Sequence, residues 1–362
     1  MAYLNLDSPP KHICFLRLSA IGDVTHVVPA IRAIQRHWPD CQLTWVIGKA
    51  EAALVKDLPG VNIVPFDKKA GWRAFLATWR TLRGQRFDAL LHMQVALRAS
   101  LLSRLISAPL RLGFDRQRAL NGQWLFTNAR IAAVPRQHVL EGLLEFPRAL
   151  GVPVDSNGLT WDIPIPEEAA AFANSHLPEG GPVLAINPCT SNRVRNWRNW
   201  SIESYVELID HAAQRYGMRT VLTGGPDHLE REYARKITQS ASNTPVNLVG
   251  RTSLKELYAV LARVTVMISP DTGPAHMAAS AGTPVIGLYA SSNPFRTGPY
   301  LFRHLTVNKY PEALQQEYGK SPEEVAWGAR VRSPKAMELI SATEVKDRLD
   351  EVMEAQPHPP QD

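Results

Sequence analysis

Short apolar runs alternate with helical periodicities along most of the chain. Residues 12–18, 43–47, 61–66 and 87–92, and later 183–187, 220–223, 264–269 and 285–289, have the length and apolar content of strands buried on both faces. Between these runs, apolar residues recur at helical spacing. Val27, Ile31 and Ile34 share one face, Tyr205, Leu208, Ile209 and Ala212 another, and Leu254, Leu257, Tyr258 and Leu261 a third. Strands of about five residues alternating with helices predict βαβ units and parallel sheets.

The pattern breaks once, in the middle. Residues 162–166 read Asp-Ile-Pro-Ile-Pro, and a proline and two glycines fall within 177–182. Proline disfavours helix and stiffens a connector, so a linker is expected over 163–181. The chain then divides into a first domain over 1–165, a second over 166–340 and a terminal piece over 341–362. That piece is read as a helix over 342–353, opened by Ser341 or Thr343, and a frayed tail. Residues 311–332 follow no clear period. The predicted fold is α/β: two Rossmann-like, doubly wound domains facing a cleft. Ligands of such sheets lie beyond the carboxyl ends of the strands, so the loop after each strand is where chemistry is sought.

Composition narrows the class. At about 150 residues per domain, 362 residues are enough for two domains. With 45% hydrophobic and 20% charged residues the chain is not mainly disordered. Cys14, Cys41 and Cys189 lie far apart and form no Cys-x-x-Cys, which disfavours a zinc knuckle or redox pair and suits a reducing compartment. No stretch approaches the roughly 18 apolar residues of a spanning helix, and the N-terminus lacks a basic segment leading into an apolar one. The expectation is a soluble cytoplasmic protein, with peripheral contact on the cytoplasmic face of a membrane left open.

Charge is uneven. Residues 1–165 hold 20 Lys and Arg against 12 Asp and Glu, whereas residues 166–362 hold 20 against 22. A basic first half suits a polyanionic partner. No nucleic-acid motif accompanies it, so nucleic acid is not the expected partner. Trp72, Phe75, Leu76, Trp79 and Leu82 are read as one helical face bordered by Arg73, Arg80 and Arg83, the composition of an interfacial helix, although a helix packed on its own sheet explains the same spacing. Arg98, Arg104, Arg111, Arg116 and Arg118 form a second basic run.

Two loops carry candidate chemistry. After the first strand comes Ser19-Ala20-Ile21-Gly22-Asp23-Val24-Thr25-His26. Only one glycine of the dinucleotide fingerprint could be matched here, so NAD or FAD binding is poorly supported. Asp23 instead places a carboxylate at a helix start, where it can accept a proton from a substrate hydroxyl or simply serve as a cap. After residues 264–269 comes Pro270-Asp271-Thr272-Gly273-Pro274-Ala275-His276. Gly273 lets a ligand approach the backbone, Pro274 suits a first helical turn, and the amides with Thr272 can cradle a phosphate, to which His276 can add a donor. Asp271 beside a diphosphate is unfavourable unless it binds ribose or backbone amides. Thr190, Ser191, Arg193 and Arg195 offer hydroxyls and cations after the 183–187 strand, and Asp227 follows the 220–223 strand with an acid suited to sugar hydroxyls. Walker A, Asp-x-Asp, His-Glu-x-x-His and Gly-x-Ser-x-Gly patterns are absent from the sequence. A diphosphate would then be met by amides, hydroxyls and arginine, with no metal site expected.

These residues, in this order, resemble the heptosyltransferases of lipopolysaccharide core synthesis, glycosyltransferase family 9, which have the GT-B fold. The matching elements are Gly22-Asp23 with His26 and Pro29, Asp271-Thr272-Gly273 with His276, the loop from Thr190 to Trp197, and the loop from Gly224 to His228; together they span roughly residues 12–290. The resemblance implies an inverting, metal-independent transfer from ADP-heptose, with Asp23 as general base. It implies that Thr272, Gly273 and Thr190 or Ser191 hold the donor diphosphate, that Arg195 stabilises departing ADP, and that Asp227 contacts the nucleoside or heptose. The first domain would take an anionic lipid-linked acceptor, Kdo-lipid A or an extended inner core, with Ser19, Gly22, His26, Arg98 and Arg118 as acceptor-side candidates. Arg195 stands where the family commonly has lysine, and Cys189 and residues 192–194 also depart from its better-known loops. Two alternatives stay open: a GT-B transferase using another nucleotide-sugar, and a non-catalytic glycosyltransferase-like binding protein.

Overall fold

The computed structural model describes residues 8–177, 180–190 and 197–355. The chain divides into two compact units, Met1–Pro164 and Ile165–Asp362. The first unit runs β1 His12–Leu16, α1 Ile21–His37, β2 Gln42–Gly48, α2 Lys49–Val55, β3 Val61–Phe66, α3 Trp72–Leu82, β4 Ala89–His92, α4 Leu97–Ser103, β5 Leu110–Gly113, β6 Ala129–Arg130 and α5 Val139–Ala149. The second runs α6 Glu167–His176, β7 Val183–Ile186, α7 Ile202–Tyr216, β8 Arg219–Leu222, α8 His228–Ser240, β9 Val246–Asn247, α9 Leu254–Leu261, β10 Val266–Pro270, α10 Gly273–Ser280, β11 Val285–Tyr289, α11 Pro294–Thr297, β12 Val307–Asn308, α12 Tyr310–Tyr318 and α13 Ala342–Glu354. Each unit holds a six-stranded sheet, ordered β3-β2-β1-β4-β5-β6 in the first and β12-β11-β10-β7-β8-β9 in the second. The strands pair in parallel, with Cys14 opposite both Thr44 and Leu90, and Met267 opposite both Ala185 and Val285.

Parallel strands need crossover helices, and these cover both faces of each sheet. That is why β1, β4, β7, β10 and β11 are almost wholly buried and read as continuous apolar runs. On one face of the first sheet, α1 packs against α5. A strap at 160–162 closes over α1: the Trp161 indole donates to the Thr25 carbonyl at 2.9 Å, and Arg32 donates to the Trp161 and Asp162 carbonyls. Helix α1 is therefore buried beyond the Val27–Ile31–Ile34 stripe, with Val24, Val28 and Ala30 also inside. On the other face, Ala74 and Leu82 of α3 join Ala99 and Leu102 of α4 in one core with Leu16, Phe66 and Leu90.

Three expectations change. Residues 163–181 are not a plain linker, because α6 lies within them and packs on α9 through buried Ala169 and Ala173. The two prolines stand before the helix, where a missing amide costs least, and Glu167 and Glu168 favour its positive end. Residues 311–332 include most of α12, which has Pro311 in its first turn and stops at left-handed Gly319. Helix α3 turns Ala74, Thr78 and Leu82 inward, so Leu82 does not share a face with Trp72 and Trp79, which are exposed.

The second core extends past residue 340. Ser341 caps α13 in a capping box with Glu344, and Val345, Leu349 and Val352 are buried with Ile186, Leu208 and Ile268 in one cluster. Leu349 is fully buried there. Leu349→Ala is expected to destabilise this unit by about 2–5 kcal/mol, through lost transfer energy and the cavity left behind. Denaturant unfolding followed by tryptophan fluorescence checks this.

Candidate active site

Each sheet has one point where neighbouring strands send their following loops apart. In the first sheet it lies between β1 and β4, and in the second between β7 and β10. The loops beyond these four strands carry most of the residues selected from the sequence.

In the first unit the backbone after β1 is clamped. The Trp45 indole donates to the Arg17 carbonyl at 3.2 Å, the Leu18 amide donates to Gln94 Oε1 at 2.6 Å, and the Gly48 amide donates to the Leu18 carbonyl at 3.1 Å. Any Cβ at Gly48 would sit 2.3 Å from that carbonyl, so the approach of β2 to this loop requires glycine. Gln94 also donates to Ser19 Oγ at 3.2 Å, tying the loop after β1 to the loop after β4.

Asp23 is the third residue of α1. Its Oδ2 accepts from the Ala20 amide at 3.2 Å and lies 2.5 Å from Arg17 Nη2. Arg17 also donates from Nε to the Ser19 carbonyl (2.7 Å) and from Nη1 to the Met93 carbonyl (2.6 Å). One carboxylate oxygen is thus fixed by two donors, while Oδ1 takes no hydrogen bond among the described residues. The side chain remains 29% exposed, so a substrate hydroxyl can reach it. Asp23 also supplies the return half of a capping box, which leaves its Oδ1 uncommitted. Gly22 is buried in the same turn, its carbonyl taken by Thr25 Oγ1 at 2.6 Å. His26 is buried edge-to-face against His138, with ring centroids 5.5 Å apart, where α1 meets α5.

In the second unit Thr272 is the N-cap of α10. Its hydroxyl accepts from the Ala275 amide at 3.4 Å and shares a 2.7 Å hydrogen bond with Ser269 Oγ. Gly273 and Pro274 form the first turn. Asp271 is neutralised locally: Arg198 Nη1 donates to its carbonyl at 2.7 Å and lies 3.5 Å from its carboxylate. His276 Nε2 stands 4.0 Å from the other carboxylate oxygen. The helix N-terminus can therefore face an anion although an acid precedes it. Thr190, beyond β7, is held by Asn199 Oδ1, which accepts from its amide at 3.0 Å and its hydroxyl at 3.4 Å. Ser191 and Arg195 lie outside the described residues. Cys189 is buried, and burial pushes its thiol pKa up, which disfavours the thiolate. Among the described residues no three His, Cys, Asp or Glu side chains gather as a metal site.

The remaining candidates divide. Asp227 caps α8, accepting from the Glu230 amide at 3.1 Å. Arg98 is exposed in the first turn of α4, beyond β4. Arg118 is committed to its own neighbourhood: it pairs with Asp115 and donates to Gln137 and the Ala132 carbonyl. Arg111 likewise donates to the Phe126, Ile106 and Ser103 carbonyls and braces the sheet. Sequence reasoning missed Arg17, Gln94, Arg198, Asn199 and Glu230. Arg17 had a signal, a charge on the apolar run of a buried strand; the others are joined to their partners only by the fold.

Two such units, each a six-stranded parallel sheet with polar loops at its switch point, make up a GT-B fold. The fold matches a glycosyltransferase family 9 structure from Veillonella parvula at a TM-score of 0.79, with 21% identity over 98% of this chain and 100% of that one. It matches the E. coli heptosyltransferase WaaC with ADP at 0.73, with 22% identity over 94% and 99%. The family model described as glycosyltransferase family 9 (heptosyltransferase) matches residues 75–325. The lipopolysaccharide core heptosyltransferase OpsX of Haemophilus influenzae is 39% identical over 93% of this chain and 95% of that protein. The chain belongs to glycosyltransferase family 9, the heptosyltransferases.

Glu230 gives a pH signature. It is buried behind the Gly224-Gly225 turn, accepts from the Gly225 amide at 2.9 Å, and burial pushes its pKa up to about 7 from an ordinary 4.5. The folded state then holds this proton more tightly than the unfolded chain. Its contribution to stability is full below pH 4.5 and is lost as pH rises through about 7. Glu230→Gln keeps the acceptor for Gly225 but cannot ionise. Relative to wild type, the variant should therefore gain stability as pH rises across that window, read from urea midpoints at each pH.

Proposed function

We propose that this enzyme transfers heptose from ADP-heptose to the inner core of lipopolysaccharide, with inversion at the anomeric carbon and without a metal ion. The first unit takes the acceptor and the second the donor. The observation that carries the reading is Asp23, a carboxylate fixed through one oxygen by Arg17 and the Ala20 amide and open at the other. An acceptor hydroxyl hydrogen-bonded to Oδ1 gives up its proton to Asp23 as its oxygen attacks the anomeric carbon opposite the departing ADP. Attack from that face inverts the configuration. Arg17 acts as a positioning residue, holding the carboxylate while it takes the proton.

The donor reading is supported by the Thr272-capped start of α10 and by the hydroxyl of Thr190. Backbone amides and hydroxyls set in advance around a diphosphate stabilise the charge that grows on it as the glycosidic bond breaks. Arg195 is assigned to the same charge, and its guanidinium can grip phosphate through two nitrogens. Asp227 is assigned to the ribose or heptose hydroxyls. Relatives named lipopolysaccharide heptosyltransferase, and a solved WaaC holding ADP-2-deoxy-2-fluoro heptose, favour ADP-heptose over other nucleotide-sugars. On the acceptor side, exposed Arg98 and the surplus of basic residues in the first unit suit acidic sugars and lipid phosphates.

Turnover of ADP-heptose with Kdo-lipid A tests the reading. Asp23→Ala should cut kcat by about 10²-fold or more, while calorimetric ADP binding stays near wild type. Arg17→Met should lower kcat in the same direction without weakening ADP. Wild-type turnover in Asp23→Ala would remove the base assignment. Thr272→Val should weaken ADP by about tenfold, the loss of one hydrogen bond to a charged ligand, and EDTA should leave wild-type affinity unchanged. Tighter binding of UDP or GDP than of ADP would overturn the donor.

A further inference from the structure

Helix α8 carries a carboxyl group where its packing calls for an apolar side chain. Its buried residues, Glu230, Ala234 and Ile237, recur at helical spacing along one stripe, and Ala234 and Ile237 join the core of the second unit. Glu230 is 7% exposed in that stripe. A carboxyl there costs stability when it ionises, and an apolar residue would not. The group is turned onto the loop beyond β8. Its Oε1 accepts from the Gly225 amide at 2.9 Å, and a Cβ at Gly225 would lie 2.6 Å from Oε2. Glycine at 225 is therefore what lets the carboxyl reach the turn. The turn is also held from elsewhere: the Gly250 amide donates to the Gly224 carbonyl at 3.0 Å, and Arg231 Nε donates to the Pro226 carbonyl at 3.0 Å. Asp227 closes the turn by accepting from the Glu230 amide at 3.1 Å. Glu230 and Asp227 thus meet twice, through this cap and through their carboxyl groups, where neutral Glu230 donates to the Asp227 carboxylate.

We propose that Glu230 is a positioning residue of the donor site, holding the Gly224-Gly225 turn and the Asp227 carboxylate in the arrangement that takes the donor's sugar hydroxyls. This role rests on the donor reading above, in which Asp227 meets those hydroxyls. Neutral, Glu230 serves both neighbours: one oxygen accepts from Gly225, and the O–H donates to Asp227 and fixes it as a charged acceptor. Ionised, Glu230 has no proton to give, and two carboxylates repel across a buried contact. Ionisation also adds negative charge to a site that takes a diphosphate. The titratable groups facing Glu230 are Asp227 on its own turn and Cys189 beyond β7, and each disfavours a further negative charge there. From the connection between β9 and α9, Val249 faces the turn with an apolar side chain, and the Arg231 guanidinium is turned to Pro226 and Gly250. Burial moves the Glu230 carboxyl up to about 7. The competent, protonated form is therefore full at acid pH, and donor affinity falls as pH rises through neutrality.

Calorimetric titration of wild type and Glu230→Gln with ADP, from about pH 5.5 to about pH 8.5, tests the role. Glutamine keeps an acceptor for Gly225 and a donor for Asp227 at every pH. The two proteins should bind ADP alike at the acid end. At the alkaline end wild type should bind about tenfold more weakly than the variant, the worth of one hydrogen bond to a charged group. Titration of ADP itself, of His228 and of His276 is common to both proteins and cancels in the ratio. Turnover should show the same ratio in KM for the donor and none in kcat. In an Asp227→Asn background the difference between glutamate and glutamine should disappear. A side chain that only packs would shift urea midpoints and leave the ADP ratio flat with pH. Equal ADP affinity of wild type and Glu230→Gln across the range would overturn the positioning role alone, and a ratio that survives Asp227→Asn would overturn its route through that carboxylate. Absence of ADP binding from both folded proteins would overturn the donor reading, and this role with it.

Discussion

A parallel sheet can be closed only by crossovers, and right-handed crossovers place each helix on a face set by the direction of travel. Both units obey this constraint, and the rest of the molecule follows from it. In the first sheet the chain moves outward from β1 to β2 and β3, then returns to β4 on the far side of β1. The loops beyond β1 and β4 therefore part, and backbone groups between them are left for side chains to satisfy. Arg17 and Gln94 take up several of these groups, and the same bonds hold Asp23 in place. The site is a consequence of the winding, completed by a few polar residues.

The two units use the same pair of side chains to different ends. Each places an aspartate beyond a central strand with an arginine against it. Asp23 keeps one oxygen open and remains 29% exposed, whereas Asp271 is 9% exposed, with Arg198 holding both its carbonyl and its carboxylate. A carboxylate open to solvent can exchange a proton with a substrate. One enclosed by a guanidinium acts as a fixed piece of the scaffold, and here the guanidinium offsets an acid standing beside the positive end of α10.

Charge follows the same division of labour. The acids of the first unit are largely spent on its own backbone and arginines, as with Asp88 on β1, Asp115 on Arg118, and Glu141 and Glu145 on Arg148. Several of its arginines are spent likewise, Arg111 on three carbonyls and Arg32 on the 160–162 strap. Exposed cations remain in several places, among them Arg73 and Arg80 of α3, Arg98 of α4, Arg116 and Arg130.

The alternation of buried strands and amphipathic helices is local physics, and it was legible along the chain. So were Asp23 and the Asp271-Thr272-Gly273 turn, because a strand that ends on a polar turn before a helix declares where a ligand can reach the backbone. The cap at Ser341 could be read for the same reason. The Pro-rich stretch misled, since proline signals a break and, equally, the first turn of a helix, and only packing against α9 made Glu167–His176 the latter. Tertiary structure alone decided that Arg111 and Arg118 brace their own unit, that Leu82 turns inward while Trp72 and Trp79 do not, and that Gln94 and Asn199 hold the two site loops. Those assignments depend on partners brought together by strand order, which hydrophobic period and local propensity do not encode.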